Sequence, residues 1–317
     1  MPSDQTVAIG VDLGGSSIKW GLIRTDGSVV HEETVPLKSR SVDHVVETIA
    51  GLVQDGLNRS DIPVAGIGIG SPGLIDATRT VVRLSPNFPE WQDVPLAERV
   101  REKVGTDLPL VLENDANVLV YSESRWGAAV GMKHVVVLTL GTGVGGGVMV
   151  DGKLLRGFNG GAGELGHIPL DINGPECGTK VKGSLESYCS ITGVMREANE
   201  VYLPETPPDS PDLLAKAAAN GDERALEVWR RVGQYLGAGV AAYINIFNPE
   251  AVLIGGGISG AGEHLLKPAR LVAQSRCFAP NWNDCTFDRA KLRGKSGMLG
   301  AAAMAFDAAG VETSTRT

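Results

Sequence analysis

The sequence predicts an α/β protein built from two related domains. One pattern occurs twice: VDLGGSSIKWGLIRTDG from Val11 and LTLGTGVGGGVMVDG from Leu138 both read as strand, glycine turn, strand, Asp-Gly turn. Order and turn chemistry recur together, which sets the repeat apart from two unrelated hairpins in a glycine-rich chain. The 317 residues are enough for two domains of ordinary size. The expected division is residues 1–116 with about 299–317 as a small domain and 117–298 as a large one, each opening with a β-meander.

The elements follow in order. Thr6–Leu13 is a strand, Gly14-Gly15-Ser16-Ser17 a turn and Ile18–Arg24 a second strand; Asp26-Gly27 then signals a hairpin into a third strand over Ser28–Leu37. Val42–Leu57 has helical spacing. Val64–Gly70 is a buried strand closed by Ser71-Pro72-Gly73, and Leu110–Leu112 ends in Glu113-Asn114-Asp115 ahead of a helix over Ala116–Ala129. The second unit repeats the scheme with strands at His134–Leu140 and Gly146–Val150, the turn Gly141-Thr142-Gly143, and Lys153–Arg156 after Asp151-Gly152. The Pro-rich stretch Leu203–Asp212 predicts an exposed loop. Ala215–Val232 and Gly237–Phe247 predict two helices, and Ala251–Ile254 a strand leading through Gly255-Gly256-Gly257 to a helix near Glu263. The tail Glu312–Thr317 predicts a frayed end.

Composition narrows the function. The net charge is −8 with no basic block, which argues against nucleic-acid and anionic-membrane surfaces. Aromatics at 5% argue against a base-stacking platform. Four cysteines, Cys177, Cys189, Cys277 and Cys285, show no repeating spacing and predict no disulfide framework. The opening MPSDQTVAIG lacks a basic and apolar leader, and no apolar stretch reaches the roughly 18 residues of a membrane span, so the cytoplasm is the expected compartment.

There are 42 glycines, nearly twice the usual share of about 7%, and they cluster in turns beside strands. Such turns let backbone N–H groups approach an anion closely. Gly14, Gly15, Ser16, Ser17 and Lys19 supply donors, and Asp12 a carboxylate able to hold Mg²⁺ directly or through water. A strand follows the turn and no Gly-Lys-Ser/Thr ends it, so it is neither a Walker A loop nor a dinucleotide fingerprint. Gly141, Thr142 and Gly143 form the matching turn, so the pair is expected to clamp a polyphosphate, with Gly255 and Gly256 nearer the nucleoside.

Phosphoryl transfer to a sugar needs a base for the hydroxyl proton and short polar side chains to hold the ring. Asn114, Asp115, Glu164, His167 and Glu186 supply those groups. By spacing alone, Asp115 reads equally as a helix cap, Glu164 with His167 as a salt-bridged turn, and Glu186 as a favourable charge in a first helical turn.

The segments IGVDLGGSSIKWGLI, GIGIGSPGLID, SPNFPEWQDVPL, LENDANVLVYSESRWGA, LTLGTGVGGGVMVDGKLLRGFNGGAGELGHI and VLIGGGIS resemble the ROK family of sugar kinases and sugar-responsive repressors, in the right order from residue 8 to about 258. The resemblance implies a two-domain actin/hexokinase-like (ribonuclease H-like) fold closing an interdomain cleft on sugar and ATP. It implies that Asp115 takes the proton of a hexose 6-hydroxyl and that Asn114, Glu164, His167 and Glu186 grip the other hydroxyls, with Gly73 as a backbone contact. It implies phosphate and Mg²⁺ binding at Asp12, Gly14 and Gly15, a second phosphate loop at Gly141–Gly143 and a nucleoside contact at Gly255 and Gly256. Glucose is the expected hexose, with N-acetylglucosamine and N-acetylmannosamine as alternatives, and ATP the expected donor over polyphosphate. A homodimer is the expected assembly.

Two further readings come from other function classes. A sugar-binding repressor of the same family carries a DNA-binding domain ahead of this fold, whereas about five residues precede the first strand here. A non-kinase ATPase would not need the hydroxyl-binding set. One departure from the family is plain. Many members bind zinc through the His of GELGH and three cysteines in a C-x-C-G-x-x-G-C segment. Here Cys177 fits, but Thr179 and Ser184 stand at the other two cysteine positions, so no structural zinc is expected.

Overall fold

The protein is described over residues 6–314 by a computed structural model. In chain order the elements are β1 (Val7–Leu13), β2 (Ser17–Arg24), β3 (Val29–Pro36), α1 (Val42–Arg59), β4 (Val64–Ser71), β5 (Leu74–Ile75), β6 (Val82–Ser85), β7 (Phe88–Val94), α2 (Leu96–Val104), β8 (Leu110–Asn114) and α3 (Asp115–Trp126). Then come β9 (Val135–Leu140), β10 (Val144–Val150), β11 (Lys153–Leu154), α4 (Leu185–Cys189), α5 (Ile191–Tyr202), α6 (Pro211–Ala219), α7 (Glu223–Phe247), β12 (Ala251–Gly255), α8 (Glu263–Arg276), α9 (Ala279–Asn283), β13 (Thr286–Arg289) and α10 (Ser296–Ala308).

The chain divides into two compact units. The first holds the described residues through Gly131, the short excursion Arg156–Ala162 and the residues from Lys291 onward; the second holds Met132–Leu155 and Gly163–Ala290. This differs from the division expected at residues 116 and 298. At the first boundary the reason is α3, which packs on α10 so closely that a Cβ on Gly300 would lie 1.9 Å from the Val118 carbonyl oxygen, so the whole helix stays with the first sheet.

The first sheet has the order β3-β2-β1-β4-β8, with β2 antiparallel to β1 and with β4 and β8 parallel to it. Side-chain alternation along β1 sends Ile9, Val11 and Leu13 into a core with Val46, Ile49 and Val53 of α1. Ala8 turns the other way and meets Met298, Ala302 and Phe306 of α10. Glycine makes that second layer possible. A Cβ on Gly10 would lie 2.0 Å from the Met298 carbonyl oxygen, and one on Gly68 1.8 Å from that of Ala301. The helix therefore rests on bare strand backbone.

The second sheet has the order β11-β10-β9-β12-β13 with the same pattern of directions, antiparallel at β10 and parallel at β12 and β13. The duplication expected from the two glycine hairpins thus extends to the parallel strands that follow them. A small antiparallel sheet, β5-β6-β7, is added to the first unit.

Two local expectations are corrected. The helix break expected between Val232 and Gly237 is absent: α7 runs unbroken for 25 residues, and the break falls earlier, between α6 and α7. The glycines there serve packing. A Cβ on Gly233 would press into Pro268, and one on Gly237 would lie 2.4 Å from the Ala269 carbonyl oxygen, so they seat α8. The frayed end expected from Glu312 is tied at Ser314, whose N–H donates to Thr25 O and whose carbonyl accepts from the Trp126 indole; its last three residues lie outside the described ones.

Candidate active site

Parallel pairing aligns the carboxyl ends of three strands in the first unit. Asp12 on β1 faces Gly70 on β4, which in turn faces Glu113 on β8, and Ser71 faces Asn114. Carboxyl edges of parallel strands are where ligands bind in open α/β sheets. Asp12 and the Asn114-Asp115 pair therefore share one edge, separated by two strand spacings of about 4.8 Å each.

Asp12 precedes the first glycine turn, which closes with Gly14 N–H donating to Ser17 O at 2.9 Å. Burial pushes the Asp12 carboxyl above the ordinary carboxylate range, and Lys19, its partner across the β1–β2 register, pulls against that. Lys19 also reaches the Gly294 carbonyl at 2.5 Å. Two neighbours of this turn were not legible in the sequence. Arg40 donates to the Gly15 carbonyl at 2.9 Å, bringing a guanidinium to the turn from 25 residues away. Gly297, in the first turn of α10, leaves room for Asp12, since a Cβ there would lie 2.3 Å from its carboxyl carbon.

The junction of β8 and α3 shows which side chain caps the helix. Asn114 is the cap: its Oδ1 accepts from the backbone N–H of Ala116 at 2.9 Å and of Asn117 at 3.3 Å. Its Nδ2 donates to the Gly73 carbonyl at 3.0 Å, which brings two expected sugar contacts together. Gly73 has φ +110°, and a Cβ would meet the Leu84 carbonyl at 2.2 Å, so only glycine fits. Asp115 is the first residue of α3, and its Oδ1 also accepts from Ala116 N–H at 2.9 Å. Behind the junction, buried Glu113 accepts from Asn114 N–H at 3.1 Å, Asn117 Nδ2 at 3.0 Å and Arg156 Nε at 2.8 Å, with Arg79 at 3.4 Å.

The second unit carries the remaining residues. Gly141 N–H donates to Gly143 O at 2.9 Å to close the second turn. Gly256, with φ +81°, passes so close to Leu140 that a Cβ would lie 2.2 Å from its carbonyl oxygen, which holds the Gly255-Gly256 turn beside the end of β9. Glu164 heads a short 3-10 segment, Leu165–His167, and its carboxylate lies 3.4 Å from His167 Nδ1. Glu186, in the first turn of α4 and only 7% exposed, accepts from Val144 N–H at 2.9 Å through Oε2. His167, Cys177 and Glu186 bring one ligand-type atom each within 4.8 Å of one another. The expected residues thus form two groups, Asp12 to Lys19 with Gly73, Asn114 and Asp115 in the first unit, and Gly141–Gly143, Glu164, His167, Glu186, Gly255 and Gly256 in the second.

Residues 8–308 match the ROK family. The chain belongs to the ROK family. Glucokinase of Thermotoga maritima is 42% identical over 274 residues, 83% of this chain and 85% of that protein. Glucokinase of Streptomyces coelicolor is 33% identical over 314 residues, 94% of this chain and 97% of that one. The crystal structure of a ROK family glucokinase from Streptomyces griseus in complex with glucose and AMPPNP superposes with a TM-score of 0.80 at 33% identity, covering 95% of this chain and 99% of that chain. The fold is therefore the actin/hexokinase-like fold of ROK glucokinases.

Within this ROK chain the segment after His167 departs from zinc chemistry. The Thr179 hydroxyl lies 2.8 Å from His167 Nε2 and 3.0 Å from Cys177 Sγ, standing between the two side chains that a metal would join. The Ser184 hydroxyl pairs with that of Ser187 at 3.0 Å and caps α4. Structural zinc sites are closed by four ligands, mostly thiolates and imidazoles, and the hydroxyls of Thr179 and Ser184 do not replace thiolates. The residues present do not fit zinc.

Proposed function

We propose that this ROK protein is an ATP-dependent hexose kinase that moves the γ-phosphate of ATP to the 6-hydroxyl of glucose. The observation that carries the reading is a carboxylate, Asp115, next in the chain to Asn114, whose amide holds Gly73, at a sheet edge that also carries the Asp12 turn. Glucokinases similar over most of the chain support it.

In this reading Asp115 orients the 6-hydroxyl and accepts its proton as the oxygen attacks phosphorus. Asn114 spends its oxygen on the helix cap and one N–H on Gly73, which leaves its second N–H for a sugar oxygen. Glu164, His167 and Glu186 accept from or donate to the remaining hydroxyls. Backbone N–H groups of Gly14–Ser17 and Gly141–Gly143 hold the phosphates, and Gly255-Gly256 borders the nucleoside. Asp12, a half-buried carboxyl beside the first turn with Lys19 across from it, is the group that would hold Mg²⁺, which would offset phosphate charge. An ATP donor supports a cytoplasmic location as part of this reading. Exposed Ile246 and Phe278 on the second unit offer apolar surface for the homodimer we propose, and a monomeric mass by light scattering would count against it.

The direct test is a hexose panel with ATP and coupled ADP detection. Glucose is expected to give the highest kcat/KM; a higher value for N-acetylglucosamine or N-acetylmannosamine would reassign the substrate, and no sugar-dependent ADP release would remove the kinase reading. Glu164→Ala is expected to raise the glucose KM about tenfold or more, within the range for losing a charged hydrogen bond; an unchanged KM would remove Glu164 from the sugar site. Purified protein is expected to carry well under one zinc per chain by elemental analysis with unchanged activity after chelation of trace metal and readdition of Mg²⁺. A stoichiometric zinc would overturn the zinc-free loop.

A further inference from the structure

Glu186 has two faces in this molecule, and only one is accounted for by a sugar. Its Oε2 accepts the N–H of Val144, the residue that leaves the Gly141–Gly143 turn. That contact is tight. A Cβ placed on Gly143 would lie 2.6 Å from the same oxygen, so the turn residue is glycine where the carboxylate sits against it. The other end of the turn is tied to the same stretch of chain. The Gly141 carbonyl accepts from Ile191 N–H at 2.8 Å, at the start of α5. The Glu186 side chain and Ile191 lie on either side of the α4–α5 junction, where Ser190 N–H donates back to the Glu186 carbonyl. The turn is therefore bracketed at both ends by one short segment, Glu186–Ile191. Glu186 itself is fixed from below: Ser184 caps α4, and Leu185 is fully buried in the core of the second unit.

We propose that Glu186 is a positioning residue for the second phosphate turn as well as a sugar contact, so that hexose and nucleotide affinity are coupled through one carboxylate. The proposal deepens the kinase reading and rests on it for the identity of the two ligands. A charged acceptor on a backbone N–H fixes the direction of that peptide and, with it, the set of N–H groups that the turn presents. A sugar hydroxyl donating to Oε1 would stiffen the same carboxylate, and the nucleotide would then meet a turn already ordered. By linkage the effect runs equally in both directions.

Two binding measurements on the full chain test it, each with the other ligand absent. Gly143→Ala pushes the carboxylate off its seat and is expected to weaken glucose binding about tenfold, measured by calorimetry without nucleotide, although residue 143 belongs to the phosphate turn. Glu186→Ala frees the Val144 N–H and is expected to weaken AMPPNP about tenfold without sugar, although residue 186 belongs to the sugar group. Both variants are checked for wild-type circular dichroism. Gly143→Ala that binds glucose as tightly as wild type, or Glu186→Ala that binds AMPPNP as tightly as wild type, overturns the proposal. The two arms separate it from the function on which it rests. A wild-type protein that binds AMPPNP and no hexose would defeat the kinase reading, while the Glu186→Ala arm would still decide whether the carboxylate sets the turn.

Discussion

Asp115→Asn is expected to lower kcat by roughly 10²–10⁴-fold while glucose affinity changes less than about threefold, the pattern for losing a general base without losing a contact. The geometry explains why the effect should divide that way. The asparagine side chain is nearly isosteric with aspartate, and its carbonyl oxygen can keep the 2.9 Å bond that Asp115 Oδ1 accepts from Ala116 N–H. The start of α3 does not depend on the substitution, because Asn114 provides the cap. What disappears is the ionisable carboxylate at residue 115: an amide cannot take up the hydroxyl proton. Steady-state turnover with glucose and ATP, set beside calorimetric glucose binding, checks it. Turnover within tenfold of wild type would show that the base lies elsewhere.

The same junction shows what a sequence displays and what it withholds. Gly14–Ser17 and Gly141–Gly143 are legible because a glycine hairpin is a local device: its residues and its Asp-Gly sequel lie within about seventeen residues, and the same short pattern recurs from Leu138. The parallel strands β4, β8 and β12 were legible as apolar runs ending at turn residues. The assignment of cap to Asn114 and not Asp115 was open in the sequence, since both types cap helices, and was decided by backbone direction. Contacts made across long separations left no trace. Arg40 on Gly15 is an ordinary exposed arginine until the fold brings it there. Thr179 on His167 is an ordinary loop threonine, recognisable in the sequence only as a missing cysteine. The uninterrupted α7 was misread for a related reason: glycine lowers helix propensity, yet Gly233 and Gly237 are held in the helix by the close approach of α8, a tertiary gain that outweighs about 1 kcal/mol of local preference at each. The small β5-β6-β7 sheet went unseen because its strands are short and one contains proline at Pro89.

Glu113→Ala is the second large effect, and it reaches stability and catalysis together. Glu113 is 3% exposed and forms the buried end of a charge cluster in the first unit, with Arg156 at 2.8 Å and Arg79 at 3.4 Å. Removing one partner of a buried pair costs about 3–5 kcal/mol because the remaining charge is left in a poor solvent. Here the two arginine side chains are 27% and 28% exposed, while Arg79 Nε and Nη2 are buried, so water recovers only part of that and about 3 kcal/mol is the expected loss. Arg79 is the more strained of the two: its burial already lowers its pKa, and Glu113 is the principal opposing charge. Arg156 matters for connectivity, since it opens the Arg156–Ala162 excursion by which the chain leaves the second unit and returns to it. The catalytic consequence follows from the other oxygen. Glu113 Oε1 accepts from Asn114 N–H and Asn117 Nδ2, which sets the angle at which β8 hands over to α3 and so the direction of the Asp115 side chain between them. A shift of about 1 Å there is enough to cost on the order of a hundredfold in rate. Glu113→Gln keeps an acceptor for Asn114 N–H and loses the charge, so it is expected to lose stability while retaining more of the turnover than Glu113→Ala. Urea midpoints and kcat for the two variants separate the electrostatic role from the positioning one; a Glu113→Ala protein with the wild-type midpoint and wild-type kcat would show that the cluster neither holds the first unit nor aims the base.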